Sequence, residues 1–317
     1  LVSLLTMFLF VSFQSAIRRA RESMGGIRKI NIAAGEHKLT DIKQSQGFPF
    51  CMIDFAIELI GESHTTVHAT TIVIGMFELL PNGTGKANKK GSIVYEKDQK
   101  IIMTNLGIRN PTDKHGDKTV EQPTTRGVWS DRGLPLTLNS CEIFDCKGDA
   151  IYIRGGSYIR LNRCHLHGNK CQGLYLSGAG TLGLTIDLHI NNNGDSGLYV
   201  NRGADVDIRG YKTKIHLNGM YKEERYGIKA SGTDSEIRIH LPKELEFLTN
   251  NGLHVEDEDT GEYYRSPKAK NMLTVFNGTI NHIKMSKKQM LSYKNYLKTQ
   301  LSYEEKAKNI KGLIKYN

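Results

Sequence analysis

The chain has 317 residues, with 43 basic against 33 acidic side chains and a formal net charge of +10. Its five cysteines are an odd number in a chain long enough to bury a core, which argues against a disulfide framework. The charge sits at the ends: residues 284–317 carry nine Lys against Glu304 and Glu305, and residues 18–29 carry five basic groups against Glu22. The body between is near neutral, so any polyanion binding that the basic pI suggests belongs to the ends.

Residues 1–11, from Leu1 to Val11, are apolar but too short for a bilayer span, which takes about 20 residues. Neither a positive n-region nor a small-residue cleavage site accompanies them. A hydrophobic lead into a cap is favoured over a signal peptide. Phe13, Ala16, Ile17 and Ala20 share one face of a predicted helix over 12–24, with Arg18, Arg19 and Arg21 off it. Residues 1–29 are assigned to this lead and a capping helix.

From Ile30 the pattern changes to short alternating runs. Ile57–Gly61, Thr71–Gly75, Ser92–Tyr95 and Ile101–Thr104 are strand candidates, separated by the polar insertions Pro81–Lys90 and Pro111–Pro123. In repeat folds such insertions map to loops on one side, often the binding side. Asn82-Gly83-Thr84 and Asn277-Gly278-Thr279 match the glycosylation sequon, which matters only in a secreted protein.

Between 126 and 256 one pattern returns: Gly127-Val128-Trp129-Ser130, Ala150-Ile151-Tyr152-Ile153, Gly173-Leu174-Tyr175-Leu176, Gly197-Leu198-Tyr199-Val200, Gly227-Ile228-Lys229-Ala230 and Gly252-Leu253-His254-Val255. Successive spacings of 23, 23, 24, 30 and 25 mark a solenoid. Each repeat holds three alternating runs, as in Ala150–Arg154, Tyr158–Leu161 and Cys164–Leu166, with turns between. One repeat is therefore one coil of three strands, stacked on the next at about 4.8 Å. Val128, Ile151, Leu174, Leu198, Ile228 and Leu253 should form one inward ladder, and Ile143, Leu166, Ile190 and Leu217 another. Cys141 and Cys164, one period apart, should stack inward as thiols.

Asn139 and Asn162 fall one period apart at the same turn, where Asn tolerates the turn and bonds neighbouring backbone. This is similar to the asparagine ladder of right-handed parallel β-helices, the pectin-lyase-like superfamily. The resemblance covers roughly Ile30 to Ile283 and implies an all-β, single-stranded right-handed parallel β-helix over 30–283. The amphipathic helix followed by Ile30-Asn31-Ile32-Ala33-Ala34-Gly35 also looks like the start of such chains, where a helix plugs the open end of the stack. A leucine-rich-repeat horseshoe would need L-x-x-L-x-L-x-x-N, which is absent.

Asp257–Lys270 interrupts the repeat, and Asn271–Ile283 reads as a last coil. Residues 284–317 then read as a basic helical tail. Ser286-x-x-Gln289 and Ser302-x-x-Glu305 fit capping boxes, and Met290, Tyr293, Leu297 and Leu301 form an apolar stripe. The tail is a packed cap with a solvated Lys face or, in the sharper reading, a polyanion anchor.

On the first strand Trp129, Tyr152, Tyr175 and Tyr199 occupy one position of four successive coils and should face solvent in a line. Such a row can stack on sugar rings, and Asp131, Arg132, Arg154, Asn201 and Arg202 lie at the adjoining turn. In the resembled superfamily this strand carries the polysaccharide groove. The sequence reading is a non-catalytic polysaccharide-binding or structural protein, with Trp129, Tyr152, Tyr175, Tyr199, Asn201 and Arg202 as the ligand-binding set. A divergent lyase or hydrolase at Asp131, Arg132 and Arg154 is the enzymatic alternative, and calcium as cofactor belongs to it alone. The resemblance implies calcium held by acidic residues for lyases and two carboxylates for hydrolases, and neither cluster is evident; the paired aspartates and Gly-His-Gly of galacturonan hydrolases are absent. A protein-interaction scaffold in a surface or particle assembly is the third reading. An extracellular or particle-surface setting is favoured over a cytoplasmic one. Glu142, His165, His189 and His216 should line the outside of the third strand as a row, to which no metal is assigned because a row offers no tetrahedron.

Overall fold

Apolar residues at every second position bury one face of a strand and leave the other outside. The computed structural model shows that alternation closing into coils of three strands. It describes residues 12–23, 26–39, 50–62, 69–89, 91–96, 98–111, 125–219, 226–241, 248–249, 251, 254–256, 263–265, 273–276, 279–283, 286–288, 290–295 and 299. Among these residues three parallel sheets form, with eight, nine and eight strands. The first sheet runs Phe50–Ile53, Met76–Leu79, Val128–Asp131, Ile151–Arg154, Leu174–Ser177, Leu198–Asn201, Ile228–Ser231, Leu273–Phe276. The second runs from Lys29–Ile32 to Thr279–His282, and the third from Gly35–Lys38 to Leu248–Thr249.

The coil turns three times, and each turn needs a residue in left-handed backbone. In the coil that begins at Val128 these are Arg132, Ser140 and Asp145; in the coil from Leu198 they are Arg202, Gly210 and Leu217. Glycine is therefore not the only residue at these bends, because the neighbouring coils hold the same conformation.

Val128, Ile151, Leu174, Leu198 and Ile228 pair in register and are fully buried, as the period requires. The sixth rung is Leu273 and not the residue at 253, which lies outside the described residues. His254–Glu256 leaves the coil and pairs antiparallel with Tyr263–Arg265. A short alternating run reads the same in a hairpin arm as in a coil, which is why the sixth repeat misleads. In the third sheet Ile143, Leu166 and Ile190 continue to Ile215, whereas Leu217 takes the left-handed turn position. Ile93–Val94 is likewise no coil strand: it pairs antiparallel with Lys86–Ala87 as a hairpin. That hairpin folds over the turns after the first sheet, with Ile93 N donating to Gly156 O at 2.8 Å and Tyr95 Oη to Arg132 O at 2.7 Å.

Cys141 and Cys164 are buried free thiols, and burial pushes Cys141 up to about 12. Asn162 Nδ2 donates to Asn139 Oδ1 at 2.7 Å, as the 23-residue spacing implies. A longer ladder lies at the turn after the third sheet. Asn169, Asn193, Asn218 and Asn251 are buried, and the Nδ2 of each of the first three donates to the next Oδ1 at 2.8, 2.9 and 2.9 Å. Each also donates to carbonyls of its own or the preceding coil, as Asn193 does to Leu166 and Asn191. The four side chains thus satisfy backbone groups at a bend that inter-coil backbone bonds, such as Gly194 N to Asn169 O, leave over.

The helix Phe13–Glu22 closes one end of the stack. Ser12 caps it, its hydroxyl accepting from Ser15 N. Phe13, Ala16, Ile17 and Ala20 are buried, and the Phe13 ring meets Phe77 edge-on at 6.1 Å. Residues 1–11, 112–123 and 301–317 lie outside the described residues. Tyr293, on a helical segment, packs against Tyr211 in the turn after Asp205–Arg209, with ring centroids 5.1 Å apart. Among the described residues no helix is long and apolar enough to cross a membrane.

The buried ladder generates a stability prediction. Asn193→Ala should leave donors and acceptors of two coils unsatisfied and cost about 3 kcal/mol or more, read from the urea midpoint by far-ultraviolet circular dichroism. Asn162→Ala, at the half-buried ladder, should cost about 1 kcal/mol. Equal costs would mean that burial does not set the ladder's strength.

Candidate functional site

The strands of the first sheet turn alternate side chains outward, and register places Trp129, Tyr152, Tyr175 and Tyr199 on adjacent rungs. They point away from the core as the alternation demands, but they do not stand open to solvent. Tyr152 is only 5% exposed, and the other three are half-buried. Tyr152 stacks on Tyr175 at 4.5 Å and Tyr175 on Tyr199 at 4.8 Å, with planes 18° and 16° apart. The strand spacing is itself a ring-stacking distance, so in-register aromatics close on one another. The expectation that each ring offers its face to one sugar is corrected: the tyrosine faces meet each other, and Tyr152 is almost wholly covered.

Cations occupy the remaining faces. The Arg126 guanidinium lies 4.3 Å from the Tyr152 ring centre and the Arg154 guanidinium 5.6 Å from that of Trp129. Lys229, the next rung after Tyr199, sits 5.3 Å from its ring. Arg126 is fixed from below, its Nε donating to buried Asp149 at 2.9 Å. Sequence reasoning missed Arg126, although it directly precedes the first glycine of the repeat.

The polar candidates divide by role. Asn201 is 8% exposed, and its Nδ2 donates to the hydroxyls of Tyr175 at 3.0 Å and Tyr199 at 3.3 Å. It therefore orients those two hydroxyls from beside the row, two residues after Tyr199 on the same face of the strand. Arg202 and Arg132 are exposed at left-handed turn positions along the row's edge. Arg154 donates to Asp131 at 2.9 Å. Partial burial works against the Arg154 charge, but the Asp131 carboxylate outweighs it and raises its pKa. Arg154 is thus held protonated and is not poised as a base. Burial, with Tyr152 and Tyr199 beside it, pushes the Tyr175 hydroxyl up to about 12, so it stays a donor.

On the outer face of the third sheet the expected row changes register. Glu142, His165 and His189 are successive rungs, but the next is Lys214 and not His216. His216 lies two residues along the same face, in line with His167 and Asn191, and still brings its Nε2 to 2.7 Å from His189 Nε2. The chain from His189 to its partner is 25 residues rather than 27, which produces the shift. A carboxylate also joins the imidazoles: His167 Nε2 is 2.7 Å from Glu142 Oε1. Burial, with His165, His216 and Lys214 alongside, pushes His189 down to about 4.

These features define a class: a solenoid of three parallel sheets with an aromatic and cationic row on the first. The chain belongs to the family described as right handed beta helix region, whose model matches residues 54–241, and its fold is a right-handed parallel β-helix. Among solved structures, the A-module of mannuronan C-5 epimerase AlgE4 from Azotobacter vinelandii is similar at 15% identity, over 85% of this chain and 83% of that one, with a TM-score of 0.40. The AlgE6 A-module of the same organism is similar at 14% identity, over 86% and 83%, with a TM-score of 0.39. No curated protein sequence matches the chain.

Stacking makes the row part of the fold. Tyr152→Ala should cost about 3 kcal/mol in the thermal or urea transition, since a buried ring is removed from between Arg126 and Tyr175. Tyr175→Phe keeps the stack, loses the Asn201 bond and should cost about 1 kcal/mol. Unchanged stability of Tyr152→Ala would show the row to be surface decoration.

Proposed function

We propose that the protein binds an extended polysaccharide along the outer face of the first sheet without chemically altering it. The observation that carries this reading is the in-register row Trp129–Tyr152–Tyr175–Tyr199, continued by Lys229 and bordered by Arg132, Arg154 and Arg202. A polymer that repeats the same hydroxyls and carboxylates meets an equivalent group on each coil. The ring faces are taken, so recognition falls to tyrosine hydroxyls, ring edges and cations. That chemistry favours acidic over neutral sugars. The Lys-rich tail adds a salt-sensitive contact with the same kind of ligand.

The closeness of Asp131 and Arg154 at the row's edge supports the second reading, a divergent lyase or hydrolase at Asp131, Arg132 and Arg154, with calcium as its cofactor. Against it stands the ion pair itself, which occupies both groups.

The full chain is titrated with neutral and uronic-acid oligosaccharides at low and physiological salt. Acidic oligomers should bind more tightly, and salt should weaken them selectively. Arg154→Ala with Lys229→Ala should weaken acidic oligomers by about three- to tenfold and leave neutral ones nearly unchanged, the scale of two exposed ionic contacts. Unsaturated-product absorbance or new reducing ends would establish the enzyme reading instead. Failure of the intact protein to bind any oligomer would overturn both and leave a protein-interaction scaffold.

A further inference from the structure

The polysaccharide reading makes no use of the third sheet, yet its outer face gathers a carboxylate and imidazoles at bonding distance. Glu142 and His165 are neighbouring rungs, and His167 follows two residues along the same strand on the same side. Glu142 Oε1 lies 2.7 Å from His167 Nε2 and 3.9 Å from His165 Nδ1, and one ligand atom from each residue falls within 4.8 Å of the others. We infer that Glu142, His165 and His167 form a binding site for a divalent metal ion of the zinc type.

The surroundings hold these three groups in place. Ala69 N donates to Glu142 Oε2 at 2.9 Å, which leaves Oε1 turned toward the imidazoles. His165 Nε2 is 2.6 Å from Asn191 Oδ1. A carboxamide oxygen only accepts, so Nε2 carries the ring proton and Nδ1, facing Glu142, carries the lone pair. Fixing the tautomer of a ligating histidine through its other nitrogen is how protein metal sites orient their imidazoles. Both rings are also clamped by stacking, His165 on His189 at 4.4 Å and His167 on Phe144 at 5.5 Å.

The donor set selects the ion. Two imidazoles and one carboxylate suit zinc and its transition-metal neighbours, whereas calcium seeks six to eight oxygens. Zinc bonds of about 2.0–2.2 Å in a tetrahedron separate ligand atoms by about 3.3 Å. The observed 2.7 and 3.9 Å straddle that value, so small side-chain rotations reach it without moving a strand. Three protein ligands would leave a fourth coordination position unfilled by these residues, the pattern of an open zinc site.

The test uses the full chain, freed of metal by a chelator and then titrated with zinc against a chromophoric competitor, without saccharide. About one zinc ion per chain should bind, and cobalt in its place should give the visible absorption of a tetrahedral site. Glu142→Gln and His167→Gln should each weaken binding at least about tenfold, and Asn191→Ala should weaken it about ten- to hundredfold through His165. His37→Ala, on a distant rung of the same sheet, should bind zinc like the parent chain. Far-ultraviolet circular dichroism identifies any variant that has lost its coils, and the remaining variants then decide. No zinc retained by the parent chain, or equal affinity in Glu142→Gln and His167→Gln, would overturn the site. Neither result depends on whether the first sheet binds saccharide.

Discussion

Parallel strand pairing holds successive coils about 4.8 Å apart, and this distance decides what a repeated residue can do. Two equivalent side chains one rung apart are always in contact. Aliphatic groups then make a continuous core, as Val128 to Ile228 do. Carboxamides make hydrogen-bonded chains, as Asn169 to Asn251 do. Aromatic rings stack, as Tyr152, Tyr175 and Tyr199 do, and imidazoles do the same at His165 and His189. One spacing therefore produces core, corner, surface row and histidine cluster.

The same constraint explains how buried polar groups are tolerated. At a bend backbone pairing between coils continues only in part, as where Gly194 N donates to Asn169 O, and burial of the remaining groups without a partner is costly. The asparagine ladder supplies both donor and acceptor on each rung, and every rung depends on the next. The ladder begins where Cys146 N donates to Asn169 Oδ1, because the equivalent position one coil earlier is a cysteine. Side-chain networks of this kind are cooperative, and a half-filled one is worse than none.

How much could be read in the sequence follows from the same geometry. Inward positions were legible, because strict alternation with a 23–24-residue period leaves only one register that buries Ile151, Leu174 and Leu198. The cap was legible from the spacing of Phe13, Ile17 and Ala20. Register became illegible where coil length changed: a two-residue difference moved Ile215 into the place expected for Leu217 and Lys214 into that expected for His216. The buried ladder left a signal, since Asn193, Asn218 and Asn251 each precede a glycine. Unequal spacings of 24, 25 and 33 residues hid it from a search for a fixed period. The outward row was placed correctly but its exposure was not, because alternation tells which side a ring is on and not what lies over it. Arg126 over Tyr152 is a contact that only the folded turn reveals.

That last point changes what the aromatic row means for function. An isolated exposed ring offers its apolar face to a sugar, and the contact is insensitive to charge. A stacked row has spent those faces on itself, and the stacking and the cations that cover its ends have become part of the stability of the coil. What remains outward is the half-buried part of Trp129, Tyr175 and Tyr199, between arginines and a lysine. Specificity on such a surface is electrostatic and directional, so it must weaken with salt and discriminate by the ligand's charge more than by its ring shape. Asn201 then matters through the two hydroxyls it orients rather than through contact of its own. The face is rigid because it is stacked, and a rigid row spares a polymer ligand the cost of ordering its partner.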